Sequence, residues 1–348
     1  MKILFPIRKI LAFALSIAVS LLLVACVQRG STPATPPKEA PSATAKPDRT
    51  FRIAYLRLGW AGIEAIDELK LLEKAGWKIE WQRIDQISAL VNAFNAGQAD
   101  LIDMSIIIAG QMFERGIDLR VFGTAVGTLG SIVVRQDSTI QKVEDLKGKK
   151  LAGVPGGTTS QDINALVRKI YRIDLFKDTQ FVQAASPTEV ANLLINGSVE
   201  AALIWEPVTS RLTQAGAARI LASQQDLWRS AMGTEKTQVH VIYLTSSQIA
   251  KQYPQLLKDI NAAQKQVAEL WSRGDPQIIE AFSKVTQLPP DVVATALKRT
   301  KPLYGLTAEQ KETIAQQLKF NRENGVLLQS DIWNDTEKII KSNFFWSE

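Results

Sequence analysis

The 348-residue chain contains one cysteine, Cys26, and one histidine, His240. That scarcity excludes a disulfide framework, a Cys/His zinc site and a cysteine–histidine nucleophilic pair. No Ser-His-Asp set or phosphate-binding P-loop motif is present either. Basic residues number 41 against 35 acidic ones, but the two signs are interspersed. Without a long basic run, nucleic-acid binding has no support. Ile10 to Ala25 is apolar except for Ser16 and Ser20, yet shorter than the about 20 residues a comfortable membrane span needs. No cofactor or metal is expected, and no catalytic residue is assigned.

What is present begins with a basic head, Lys2, Arg8 and Lys9, ahead of that apolar run. The combination suits a secretory signal over residues 1–25. The run ends in Leu23-Val24-Ala25-Cys26, which resembles a bacterial lipobox. The resemblance implies cleavage before Cys26 and acylation of its thiol and new amine. The formal net charge of +6 becomes +3 once Lys2, Arg8 and Lys9 leave. Residues 27–50 consist mainly of Pro, Ala, Ser, Thr and Lys. Such a segment buries too little apolar surface to offset its ordering entropy, so 26–50 reads as a lipidated cysteine and a disordered tether.

About 300 residues remain, enough for two lobes with separate cores. Strands are expected at 52–56, 77–84, 100–104 and 119–123, with helices at 61–75 and 87–96. A second alternation follows: strand 150–154, helix 158–171, strand 180–182, a helix from Pro187 to Ile195, and strand 201–205. Ser186-Pro187-Thr188-Glu189 is a capping-box start. Strand 239–245 precedes a helical end comprising 247–273, 276–285, 290–299 and 307–324. The alternation predicts an α/β fold with mainly parallel sheets and helices on both faces. Asn92 to Asp100 is echoed by Asn192 to Glu200, each a helix end, a glycine and an acidic residue before a strand. The echo reads as equivalent units in two similar lobes. Lobe 1 is assigned 51–138 plus 239–348 and lobe 2 is assigned 139–238, with a two-strand hinge at 136–140 and 236–239.

Val143-Glu144-Asp145-Leu146-Lys147-Gly148-Lys149 leads through a short strand to Pro155-Gly156-Gly157-Thr158-Thr159-Ser160. This segment, with Trp205-Glu206-Pro207 and the weaker match at 95–100, resembles periplasmic binding proteins for taurine, aliphatic sulfonates and nitrate. The resemblance implies a type II two-lobe fold and an extracytoplasmic solute-binding role in an ABC importer. It also implies permease and ATPase partners, a monomeric receptor and a small, anionic ligand between the lobes. Some similar proteins make the thiamine pyrimidine, but that resemblance requires a His and Cys cluster with a cofactor-bearing lysine. One His and one acylated Cys do not supply it, so no enzymatic activity is expected.

Candidate ligand contacts follow from strand ends, where open parallel sheets present ligands. Gly157, Thr158, Thr159 and Ser160 open a helix whose free N–H groups and dipole suit an anion. An ordinary glycine turn with a capping hydroxyl is the alternative. Gly59 and Trp60 follow the first strand, and the indole either stacks on ligand or plugs the surface. Ser105 follows the strand from Asp100, Thr128 belongs to a polar loop, and Glu206 either meets a ligand amine or anchors the hinge. Asp103 would repel an anion unless it turns away or meets an amine. His240 reads as a structural or hinge residue. Two other functions fit the same pattern: a receptor for a thiamine-precursor pyrimidine or another nitrogenous or aromatic solute, and a sensor subunit of the same fold.

Overall fold

Alternating apolar residues and short turns produce ten strands and fourteen α-helices among the described residues of the computed structural model, 46–326 and 328–347. The signal segment 1–25, Cys26 and the tether as far as residue 45 lie outside the described residues. The strands are β1 (Thr50–Leu56), β2 (Lys78–Ile84), β3 (Leu101–Ser105), β4 (Arg120–Gly127) and β5 (Gly130–Arg135). They continue with β6 (Lys150–Gly153), β7 (Gln180–Gln183), β8 (Ala201–Trp205), β9 (Ala218–Ser223) and β10 (Val239–Thr245). The helices are α1 (Ile63–Glu68), α2 (Leu71–Lys74), α3 (Ile87–Asn95), α4 (Ile106–Glu114), α5 (Thr158–Tyr171), α6 (Pro187–Ile195) and α7 (Val208–Gln214). They continue with α8 (Gln224–Met232), α9 (Ser247–Gln252), α10 (Pro254–Arg273), α11 (Pro276–Thr286), α12 (Pro290–Arg299), α13 (Ala308–Glu323) and α14 (Thr336–Lys341).

Two five-stranded sheets have the same design, β2-β1-β3-β10-β4 and β7-β6-β8-β5-β9. The first three strands of each are parallel. The fourth, β10 or β5, is antiparallel to both neighbours because the chain enters it from the other lobe. The echo noted in the sequence falls at matching places, α3 into β3 and α6 into β8. Gly97 and Gly197 supply the left-handed turns, φ 65° and 75°, that a Cβ would strain.

Both faces of the first sheet are covered. Phe51, Ile53 and Tyr55 of β1 pack on one face with Trp60, Trp271 and Phe282. Ala54 and Met104 join Ile107, Leu318 and Trp333 on the other. This period-two division is what burial of a strand on both sides requires.

Several boundaries differ from expectation. Residues 46–50, expected to belong to the tether, are held against the fold: the Lys46 ammonium pairs with Asp259 and lies 4.2 Å over the Trp77 ring. Arg49 bonds Asp100 at 2.7 Å, and Thr50 already pairs with Lys78. The first crossing is at Thr128–Leu129 rather than 136–140, because 130–135 pairs with β8 and β9 in the second sheet. The chain returns between Met232 and Val239. The expected helix 61–75 is two short ones broken at Lys70, φ 52°. The expected helix 247–273 breaks at Tyr253-Pro254, since a residue before proline leaves the helical region. Helices α4, α7, α8 and α14 and strands β5 and β9 went unread.

Candidate interlobe binding site

The carboxyl ends of β1 and β3, the start of β10 and the loop opening α5 meet between the two sheets. They enclose a cavity of about 50 Å³, larger than the roughly 10–15 Å³ a single water needs. Its wall is largely apolar, with Leu56, Ile87, Leu90, Met104, Ile108 and Val241 among the lining residues. Asp103, Ser105, Thr158, Thr159 and His240 supply the polar side chains. Among the described residues no lysine or arginine lines it. Nor is any group of three His, Cys, Asp or Glu side chains placed to hold a metal ion.

Helix α5 starts at this cavity. Its N-cap is Gly157, extended at φ −77° and ψ 141°, and no side chain caps it. The first intrahelical bond runs from Gln161 N–H to the Gly157 carbonyl, so the N–H groups of Thr158, Thr159 and Ser160 have no carbonyl of that helix to donate to. Thr158 Oγ1 donates to Ser105 Oγ across the interlobe gap at 2.7 Å. A helix terminus of this kind offers N–H donors and a partial positive charge to an anion.

Burial shifts two titratable groups of the wall toward their neutral forms. His240 is 5% exposed, and burial lowers its pKa to about 4, so the ring is neutral at pH 7. Its Nε2 lies 3.4 Å from Thr159 Oγ1 and its Nδ1 has no partner among the described residues. Asp103 is held well above the ordinary carboxylate range by burial and by the nearby Glu64 carboxyl. One oxygen, Oδ1, accepts from Leu56 N–H at 3.1 Å. Oδ2 lies beside Gly59, where an added Cβ would come within 2.9 Å of it. Gly59 is therefore required by close approach to the wall.

The predicted contacts divide. Gly59, Ser105, Gly157, Thr158 and Thr159 line the cavity. Trp60 does not: its ring is wholly buried against Trp271 and Phe282, and Nε1 donates to Thr300 Oγ1 at 3.0 Å. Burial of such an aromatic is worth about 2–3 kcal/mol, which directs it into the core. Ser160 is fully buried beneath Gly153 of β6, and Thr128 donates to Gln225 Oε1 at 2.8 Å outside the cavity. Glu206 is also outside it, since its Oε2 accepts from Ser210 N–H at 2.9 Å. His240, Asp103 and Trp205 are wall residues that the candidate list lacked. The isolated histidine was a signal for the first, and the charge of Asp103 within an apolar strand was a signal for the second.

Two lobes of matching topology with a cavity between them define a solute receptor of the two-lobe binding-protein class. More particularly, residues 69–269 match the family model described as ABC transporter, phosphonate, periplasmic substrate-binding protein, and the chain belongs to that family. It is thus an extracytoplasmic substrate-binding protein that serves a transporter's permease and ATPase subunits. A Bacillus subtilis protein assigned as aliphatic sulfonates-binding is 29% identical over 238 residues, 66% of this chain and 67% of its own. The alkanesulfonate-binding protein SsuA of Xanthomonas axonopodis pv. citri, solved with MOPS bound, is 25% identical. It superposes with a TM-score of 0.65 over 79% of this chain and 93% of its own. The aliphatic sulphonate-binding SsuA of Escherichia coli gives 25% identity and 0.67, covering 86% and 92%.

Proposed function

We propose that the chain captures an alkanesulfonate, with the sulfonate against the start of α5 and the alkyl part along the apolar wall. The observation that carries this is the uncapped terminus at Gly157–Thr159 opening on a mostly apolar cavity. Backbone N–H groups, the hydroxyls of Ser105, Thr158 and Thr159, and neutral His240 would share a single negative charge without a counter-cation. Among the described residues no lysine or arginine of the wall balances a second charge, so a monoanionic sulfonate suits it better than a phosphonate dianion. Relatives assigned to aliphatic sulfonates support the same reading. Its second oxygen, Oδ2, gives Asp103 a further use, accepting a hydrogen bond from an amine at the far end of the ligand. Taurine (2-aminoethanesulfonate) has that form.

Capture proceeds by closure of the lobes, and the ligand shifts the balance by preferring the closed state. The receptor acts as a monomer, anchored through acylated Cys26. Cys26→Ala should release it from the membrane fraction, and unchanged attachment would end the anchor reading.

Isothermal titration of the protein with ethanesulfonate, taurine, methylphosphonate, nitrate and a hydroxymethylpyrimidine tests the ligand. Ethanesulfonate and taurine should bind and methylphosphonate should be weaker. Thr158→Val should weaken sulfonate binding by about tenfold, the value of one hydrogen bond to a charged group. A response to the pyrimidine alone, or an unaffected Thr158→Val, would remove the sulfonate assignment.

A further inference from the structure

The lobes also meet away from the cavity, where α7 of the second lobe faces α12 of the first. Glu206 opens α7 and is 3% exposed. Its Oε1 lies 3.5 Å from Arg299 Nη1 on α12. The same guanidinium nitrogen donates to Ser210 Oγ at 3.2 Å and to Thr213 Oγ1 at 3.0 Å. One residue beyond Thr213 on α7, Gln214 Nε2 donates to the Asp291 carbonyl and to Thr295 Oγ1, at 3.2 and 2.5 Å. None of these residues lines the cavity. The patch nevertheless adjoins it through Trp205, a wall residue next to Glu206 whose Nε1 donates across the gap to the Leu58 carbonyl at 3.1 Å.

We propose that Arg299 and Glu206 form a latch that sets the open–closed balance of the receptor, and hence its affinity, without touching the ligand. The physical reason lies in what closure does to each partner. A carboxylate covered by the opposing lobe loses water and needs a charged donor in its place. Arg299 is a cation that reaches Glu206, and the same Nη1 also donates to two hydroxyls of α7. When the lobes part, both groups recover solvent, so the contact favours closure and nothing else. Apparent affinity scales with the fraction of molecules in the binding-competent state, so these side chains act as positioning residues. The inference rests on the closure reading above but not on the ligand's identity.

The test uses the full chain with Cys26→Ser and spin labels on Asn192→Cys of α6 and Lys284→Cys of α11, both exposed. Distances are measured without ligand and then with ethanesulfonate. Arg299→Ala should lengthen the ligand-free distance distribution and weaken ethanesulfonate binding by about fivefold, chiefly through faster dissociation. Arg299→Lys should recover part of both, which a loss of folding would not. In a Glu206→Gln background the added effect of Arg299→Ala should shrink. Unchanged distances and unchanged affinity in Arg299→Ala would overturn the latch. Failure of the parent chain to bind ethanesulfonate would sink the ligand assignment instead, while the ligand-free distances still decide the latch.

Discussion

His240 couples the binding wall to pH. Burial lowers its folded pKa to about 4, below the unfolded value near 6.5. The unfolded chain therefore takes up the proton first as pH falls. The contribution of the neutral ring is complete above about pH 6.5 and is lost as pH drops toward 4. Between pH 7.5 and 5 the loss amounts to about 2 kcal/mol. Urea unfolding of the parent and of His240→Gln at those two pH values should differ by about that amount, with the variant less sensitive to acid. Equal sensitivity would show that the ring is not held neutral. Glu64 behaves in the opposite sense. Burial raises its pKa to about 7, so its share of stability is present below about pH 4.5 and fades as pH rises through 7. It stays useful because its carboxylate accepts the N–H groups of Trp60, Ala61 and Gly62.

At the scale of elements, the paired helix ends give a controlled comparison. Gly97 and Gly197 occupy equivalent turns in the two lobes, both left-handed. A Cβ at Gly97 would meet nothing within 4 Å, whereas one at Gly197 would come within 2.5 Å of Arg135 Nη1. Gly97→Ala should cost about 1 kcal/mol, the backbone strain alone. Gly197→Ala should cost more, because the guanidinium must also move from its bond with Asp137. Denaturant midpoints of the two variants decide this, and equal costs would mean that Arg135 yields freely. Element limits were readable in the sequence: 158–171, 201–205, 239–245 and 290–299 match the observed α5, β8, β10 and α12. The cap at Ser186 was readable too, since its side chain accepts from Glu189 N–H as the spacing allows. The break at Pro254 had its signal in the proline itself.

For the whole molecule, the joint between the lobes turns on Gln224, the fully buried first residue of α8. Its Oε1 accepts from Gly130 N–H at 3.2 Å, just past the first crossing. Its Nε2 donates to Gln238 Oε1 at 3.1 Å, just before the second crossing ends, and to Asp162 Oδ2 of α5 at 3.0 Å. Asp162 in turn accepts from Gln317 and Asn321 of α13 at 3.2 and 2.7 Å. Both crossings, the helix at the binding cavity and α13 thus share one buried polar network. Such a network is costly to leave incomplete. Gln224→Ala should lower unfolding free energy by about 1–3 kcal/mol through its orphaned partners, read by urea titration. A neutral result would mean that water or a side-chain shift replaces the amide.

The sequence by itself determined the alternating α/β pattern, the two equivalent units, the glycine caps and the position at which α5 starts. Each of these depends on residues a few positions apart, where period, capping and backbone strain act. Tertiary structure decided the rest. Trp60 is drawn into the core by Trp271 and Thr300, more than 200 positions away. Glu206 is bound to Arg299 of the other lobe, and His240 joins the wall because β10 returns beside β3. The place of the first crossing was settled in the same way, by the pairing of β5 with β8 and β9. Such choices depend on which distant surfaces are buried together, and no local pattern carries that information.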